Sequence, residues 1–518
     1  MCYGDPVSTG AYHLFAPVAA SFGYWDSKVK SVVVDALQRA QMWQSLQDRQ
    51  RWQALHAMYD GKHEALVRAH IAFTHPERAE EWNEGDASGH RYLDLVRMLV
   101  DRLGVVFHRP PETFLHLGDG KPLPEDDARV QQWRKDETAI DVGRVLQRID
   151  AWTVLFGQCI PRVAWVHDRP RWVVHAPYEV FVDQDPAEPE EIDFARHVSV
   201  EIRQPVDSIG KQLPSLYLTY RYAPEEAEPW QVWFHDEDGR RHANKLFGNN
   251  VNEYGLHPLV VFRGANYPAP GTFWTPPNAA WFRHQLAVNL QLMDLDFGLR
   301  YQVHPQGVLR GHPDEEKPTL GPSRLLKFPG RGSHEGLEYV SADLKVDELL
   351  EAINAELRLA AVAEGLPPDT FEANSSTRNM GAKQVEQHAL KLRRERVMPA
   401  YKRDLAKLFD ITRAVCDHWA PTSNRIVYGD DVQLGVNLAP IPEAHDRFQD
   451  MQANETAIRL GLTGPVDLLM RSEGITRREA EERLDRNIAD RERYGYKPSA
   501  PAAATAGHGV RRPPSAQE

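Results

Sequence analysis

Cysteine is scarce in this sequence. Cys2, Cys159 and Cys416 are the only three in 518 residues, and they lie far apart with no paired spacing. That distribution argues against a disulfide framework or a zinc site and fits a reducing compartment. Long hydrophobic runs are missing as well: no uninterrupted apolar stretch approaches the ~20 residues that a membrane span needs. Met1 to Trp25 is apolar in patches, without the basic start and continuous apolar core of a signal peptide. A surplus of positive charge is also absent. With 61 Lys and Arg against 74 Asp and Glu the formal charge is −13. That balance disfavours a protein whose whole surface grips nucleic acid, but it leaves room for a local basic stripe.

What remains is the composition of a soluble globular chain, 42% hydrophobic and 26% charged. At ~150 residues per domain the length suggests about three structural units. Ser27 to Ala72 has helical spacing, interrupted by the turn signal Tyr59-Asp60-Gly61. Helices are also expected over Tyr92 to Leu103, stopped by Gly104, and over Asp136 to Phe156. After Gly157 the texture changes to short β-branched and aromatic runs: Cys159 to Val166, Arg171 to His175, Glu179 to Val182, His197 to Arg203, Leu216 to Tyr222 and Trp230 to His235. No helical pattern lies between them, so a meander of paired strands fits better than a parallel sheet.

Beyond a Pro-rich loop the chain turns helical again. Asn278 to Val303 is followed by a Pro-broken excursion, His304 to Ala342, with strands at Gly307 to Arg310 and Arg324 to Phe328. Asp343 to Glu364 is the next helix, stopped by Gly365, and a polar loop runs on to Asn379. Met380 to Trp419 then reads as one long helix with Pro399 inside it, which should kink it. A short strand is expected at Arg425 to Tyr428 and compact helices over Glu443 to Gly461, Pro465 to Arg471 and Thr476 to Tyr494. Thr476 and Glu479 form a capping-box pattern. The tail from residue 496 on is Pro-, Ala- and Ser-rich and reads as disordered.

Signals for catalysis are weak. Asp296-Phe297-Gly298 copies a kinase triplet but sits in a helical pattern without its companion motifs. Gly118-Asp119-Gly120-Lys121 is a turn, because Pro122 replaces the hydroxyl a phosphate loop requires. His63, His70 and His75 lack a third ligand at compatible spacing and read as surface or interface histidines. Asp183, Asp185, Glu188, Glu190, Glu191 and Asp193 could hold Mg²⁺ for a nuclease-like DNA-processing enzyme, but Pro186 and Pro189 interleave them as in a solvated acidic loop. No cofactor or metal is implied, and a non-enzymatic protein is expected.

The basic stretch says more. Arg378 to Lys407 carries nine Lys and Arg against three Asp and Glu, a local charge of +6. It could face phosphates. It reads better as a face paired with acidic neighbours such as Asp343, Asp347, Glu348, Glu351 and Glu356 on the preceding helix, because charge runs are usually solvated or paired.

The order of parts is more distinctive than any motif: N-terminal helices, a strand-rich section, a helix, an excursion, a returning helix, a polar loop, a long proline-bearing helix and a helical C-terminal section. This resembles the portal proteins of tailed bacteriophages over about residues 27 to 495. Met58-Tyr59-Asp60-Gly61-Lys62-His63, Tyr92 to Val106, Leu155-Phe156-Gly157, Gly365 to Ala382 and Ala457 to Gly461 are similar phrases.

The resemblance implies an α+β, predominantly α fold with wing, stem, clip and crown regions, assembled as a ring of twelve. It divides the chain into an N-terminal segment 1–26, a wing 27–277, stem helices 278–303 and 343–364 and a clip 304–342. A tunnel loop 365–379, a kinked wing helix with return strand 380–442, a crown 443–495 and the tail 496–518 complete it. Double-stranded DNA would pass along the axis during packaging and ejection, touched without sequence specificity by Asn374, Ser375, Ser376, Thr377, Arg378, Asn379 and Lys383. The clip residues Arg310, His312, Asp314, Glu315, Glu316, Lys317 and Arg324 would dock the terminase large subunit and then a head–tail adaptor. Arg393, Arg394 and Arg396 would bond neighbouring subunits. Capsid and scaffolding proteins are further expected partners, with no membrane. The expected location is a capsid vertex of the virion, after assembly in the host cytoplasm. A minor structural head protein of another kind is the remaining alternative.

Overall fold

A computed structural model describes residues 39–74, 91–118, 120–202, 215–236, 239–242, 250–265, 268–303, 306–310, 325–328, 336–340, 345–371, 380–423, 425–441 and 454–494. Helix and sheet are mixed, with about half of the chain helical. Two compact units divide at Leu438 and Ala439, rather than the three that length alone suggests.

The first unit begins with α1 (Arg39–Tyr59) and α2 (His63–Thr74), parted by a turn in which Gly61 adopts φ +75°. Only glycine enters that left-handed region without cost. α3 (Leu95–Leu103) starts three residues later than its apolar pattern suggests. The preceding strip is held by side chains instead: Asn289 Oδ1 accepts from the Leu93 amide at 2.9 Å, and Asp94 bonds to His63. β1 (Glu112–Leu117) follows. The single helix expected over Asp136 to Phe156 is two, α4 (Ala128–Ile140) and α5 (Val142–Phe156). Asp127 caps the first by accepting from the Arg129 amide at 2.8 Å, and Asp141 breaks the pair with φ 60°, a left-handed conformation that Asp tolerates better than most residues.

The strand section is antiparallel. β2 (Gln158–Val166) pairs with β3 (Arg169–His175) and with β9 (Phe262–Arg263). β4 (Val180–Asp183), β5 (His197–Ile202), β6 (Leu216–Tyr222), β7 (Trp230–His235) and β8 (Arg241–His242) form a five-stranded meander in sequence order, as the alternation predicts. Val180, Val182, Val198, Val200, Leu218, Tyr220 and Val232 lie on its core face.

α6 (Ala279–Val303) and α7 (Val346–Ala363) pack together. Between them β10 (Gln306–Arg310), β11 (Leu325–Phe328) and β12 (Gly336–Val340) form a three-stranded sheet with β10 central, parallel to β11 and antiparallel to β12. α8 (Met380–Ser423) is 44 residues long, about 66 Å at ~1.5 Å per residue, and contains Pro399 and Pro421. Leu390, Arg394, Val397, Tyr401, Leu405, Leu408, Thr412 and Val415 recur along it at three- and four-residue spacing and are all buried.

The strand expected at Arg425 to Tyr428 is not one. The segment there has no regular hydrogen-bonded structure and is anchored by side chains, with the Tyr428 amide donating to Asp417 Oδ1 at 2.7 Å. The strand is β13 (Val432–Asn437), which pairs antiparallel with β1, more than 300 residues earlier in the chain. This pairing closes the main core, in which Trp133, Ile149, Val163, Phe262, Tyr401, Phe409, Tyr428 and Leu434 meet.

The second unit holds a short helix at 454–459, then α9 (Pro465–Glu473) and α10 (Arg477–Tyr494). Gly474 (φ +61°) ends α9, and the capping box exists: Glu479 Oε2 accepts from the Thr476 amide at 2.9 Å, while the Glu479 amide donates to Thr476 Oγ1 at 3.4 Å. Arg483 reaches back to Glu473 at 2.6 Å, tying the two helices. The tail 495–518 lies outside the described residues.

Candidate functional site

Asn374, Ser375, Ser376, Thr377, Arg378 and Asn379 lie outside the described residues, and Lys383 falls in the first turn of α8. Of the clip candidates, Arg310 ends β10, while His312, Asp314, Glu315, Glu316, Lys317 and Arg324 lie outside the described residues. The three candidate inter-subunit arginines, Arg393, Arg394 and Arg396, are engaged within their own chain. Arg393 Nη1 pairs with Glu364 Oε2 at 3.4 Å, and Arg396 Nη2 donates to the Ala265 carbonyl at 3.2 Å. Arg394 is buried, which pushes its guanidinium pKa down against the opposing pull of Asp150.

The two charged features of the sequence partly meet each other. Lys407 Nζ pairs with Asp193 and approaches Glu191 Oε2 at 3.8 Å, so the acidic loop receives the far end of the basic stretch. Of the expected pairing with the preceding helix, Arg393 makes one instance, to Glu364 at its end, whereas Lys407 turns to the acidic loop. The named carboxylates pair elsewhere, Glu348 with Lys345 at 2.7 Å and Glu356 with His284 at 2.9 Å. Asp183 is bonded to His197 at 3.3 Å. Among the described residues no group of three or more His, Cys, Asp or Glu is placed to hold a metal ion. His63, expected at a surface or interface, is buried on Asp94 because an imidazole placed on the inner face of α2 needs a partner once it leaves water.

The basic helix meets the α6–α7 pair at Glu364. α7 ends there in a Schellman arrangement: the Leu366 amide donates to the Ala361 carbonyl at 2.9 Å and the Gly365 amide to Val362 at 3.0 Å, with Gly365 at φ +73°. A carboxylate at this end faces the negative pole of α7. Donors from elsewhere offset that. Trp281 Nε1 donates to Glu364 Oε1 at 2.6 Å, Asn278 Nδ2 to the same oxygen at 3.1 Å, and Arg393 faces Oε2. Asn278 also caps α6 by accepting from the Ala280 amide at 3.1 Å, which places Glu364 at the positive pole of that helix.

Beside this node lies a small polar cleft of about 70 Å³, lined by Asp150, Thr153, Gly264, Glu364, Arg393 and Tyr401 among others. It has room for a few waters, well short of the ~300 Å³ typical of small-molecule sites. Asp150 and Tyr401 both titrate away from their ordinary ranges here, each pushed up by burial. Asp150 Oδ2 accepts from the Val106 and Phe107 amides at 2.8 and 3.1 Å, and Oδ1 from Tyr401 Oη at 3.4 Å. Burial nonetheless pushes the Asp150 pKa up to about 6, against the lowering pull of those bonds and of Arg393.

A second buried carboxylate, Asp136, sits on α4. It accepts from Tyr428 Oη at 2.7 Å and from Arg425, whose guanidinium also lies over the Trp165 ring at 5.3 Å. These groups accept, donate and hold; they fix α8 and the segment after it against α4, α5 and α6. Sequence reasoning missed Glu364, Asp136 and Asp150. The available signal was a charged residue within an apolar helical period, as Asp150 is beside Leu146, Ile149 and Thr153.

No family model and no curated protein matches the sequence. Among solved structures, a chain from the virion of a native gene transfer agent particle shares 12% identity, covering 73% of this chain and 89% of its own at a TM-score of 0.34. A chain from the neck of an empty gene transfer agent particle also shares 12%, covering 74% and 92% at a TM-score of 0.33. Similarity at that level carries no argument about fold or function.

Proposed function

We propose that this chain is a subunit of a ring-shaped portal through which double-stranded DNA enters and leaves a capsid. The observation that carries the reading is the α6–α7 pair: two packed helices joined by a three-stranded excursion, with more apolar surface than one chain covers. Ile353, Leu357, Ala360 and Ala361 of α7 are buried, yet Leu359 and Val362 are each 57% exposed and Leu392 on α8 is 53% exposed. In α6 the first half is inward (Trp281, Phe282, Leu286, Val288, Met293), whereas Leu299 near its end is exposed. Apolar side chains left wet on neighbouring helices favour burial against further copies.

In this reading α6 and α7 are stem, 304–342 is clip, 365–379 with Lys383 faces DNA, α8 spans the wing and 443–495 is crown. The clip docks the terminase large subunit and then an adaptor. Acidic walls suit a channel that must let DNA slide, since tight phosphate contacts would hold it. Arg393, Arg394 and Arg396 have partners inside the chain, so contacts between subunits fall first to the apolar side chains of α6, α7 and α8.

Mass measurement of the purified protein is the test. A ring of about a dozen ~59 kDa subunits, seen also as a holed particle by electron microscopy, is expected. A monomer under all conditions would overturn the reading. Mg²⁺-dependent nuclease activity lost on Asp183→Ala and Asp185→Ala would favour the enzymatic alternative.

A further inference from the structure

Glu364 is one carboxylate at which the α6–α7 pair and the long helix meet. Glu364 takes Trp281 and Asn278 from the first turn of α6 on one oxygen and Arg393 from α8 on the other, while belonging itself to the cap of α7. Trp281 is buried, and the side chains of Glu364 and Arg393 are only 14% and 26% exposed, so the ion pair is poorly screened. Other ties at this end of α8 differ in kind: Arg396 donates to a neutral carbonyl, Val397 packs into the core, and the buried Arg394 lies within the pull of Asp150. A charge-assisted bond to a carboxylate is about twice as strong as a neutral one.

We propose that Glu364 is a positioning residue: it sets where α8 stands on the α6–α7 pair, and load on that pair reaches α8 through the Glu364–Arg393 bond. The contact itself is independent of the portal reading; its consequence for DNA movement rests on that reading. Glu364→Gln separates the two halves of the node, because an amide oxygen still accepts from Trp281 and Asn278 while the charge facing Arg393 is gone. Arg393→Gln removes the same bond from the other side, and Arg393→Lys retains the charge.

The experiment is amide hydrogen exchange on the full chain, read over residues 387–397 of α8. Each Gln variant should exchange about 5- to 10-fold faster there, with the meander β4–β8 unchanged. The double variant should be no faster than either single one, and Arg393→Lys should stay near wild type. A purely local packing role would not be rescued by lysine. Wild-type exchange in Glu364→Gln, or effects of the two Gln changes that multiply in the double variant, would overturn the proposal. Variant rings are then scored for DNA packaging in a complementation assay. Rings of normal mass with reduced packaging support transmission through Glu364. Normal packaging alongside faster exchange overturns that transmission and leaves the portal reading, judged by ring mass, untouched.

Discussion

The second half of α8 and the whole of α7 are regular helices of one chain that end in opposite situations. From Val397 to Cys416, α8 sets Tyr401, Leu405, Leu408, Phe409 and Val415 into a core shared with α4, α5, β2 and β13. α7 buries one stripe against α6 and leaves Leu350, Leu359 and Val362 in water. The first region is complete within one chain, down to carboxylates that accept from buried donors. The second carries apolar surface that the described residues leave in water, and burying it would contribute roughly 25 cal/mol per Å². In the proposed ring, stability and assembly are lodged in different helices.

Hollowing the complete region should break the contrast most strongly. Trp133 is wholly buried, edge-on to Phe409 at 5.1 Å and donating to Thr113 Oγ1 at 3.1 Å. Trp133→Ala should cost about 3–5 kcal/mol in chemical denaturation. A loss below about 1 kcal/mol would show that this core is not what holds the chain.

Next in size is Asp136→Ala, which strands Arg425 and the Tyr428 hydroxyl. About 3 kcal/mol should be lost, because the penalty of an uncompensated buried charge falls on Arg425. Adding Arg425→Met should restore part of it, and two purely additive losses would mean the pair is not coupled.

Asp150 gives the pH test. Its pKa is about 6 in the fold against an ordinary 3.8, so the folded chain binds the extra proton between those values. Its contribution is fully present below pH 4 and is lost as pH rises through 6, a difference of about 3 kcal/mol between the two limits. Denaturation midpoints of the wild type minus those of Asp150→Asn should fall across that window. A flat difference would place Asp150 in water.

The smallest stability change is expected on α7. Leu359→Ser with Val362→Ser should alter the stability of the single chain by no more than about 0.5 kcal/mol per site while shifting the assembled mass towards monomer. Unfolding by these changes would mean the exposed face is already covered within the chain.

Periodicity, caps and turn residues determined what they act on locally. The helices over Ala279–Val303, Val346–Ala363 and Met380–Ser423 to within a few residues, the stops at Gly61 and Gly365, and the Thr476–Glu479 box were all legible, because each depends on residues within a turn or two. The meander was legible too, because its strands pair in consecutive order and each carries its own β-branched and aromatic run. The rest was decided by contacts that sequence spacing does not encode. β1 finds β13 across more than 300 residues, and Lys407 finds the acidic loop of Asp193. Glu364 gathers donors from α6 and α8. A carboxylate reads as solvated in any sequence. Only the packing of distant elements around it removes the water and decides that it must be held.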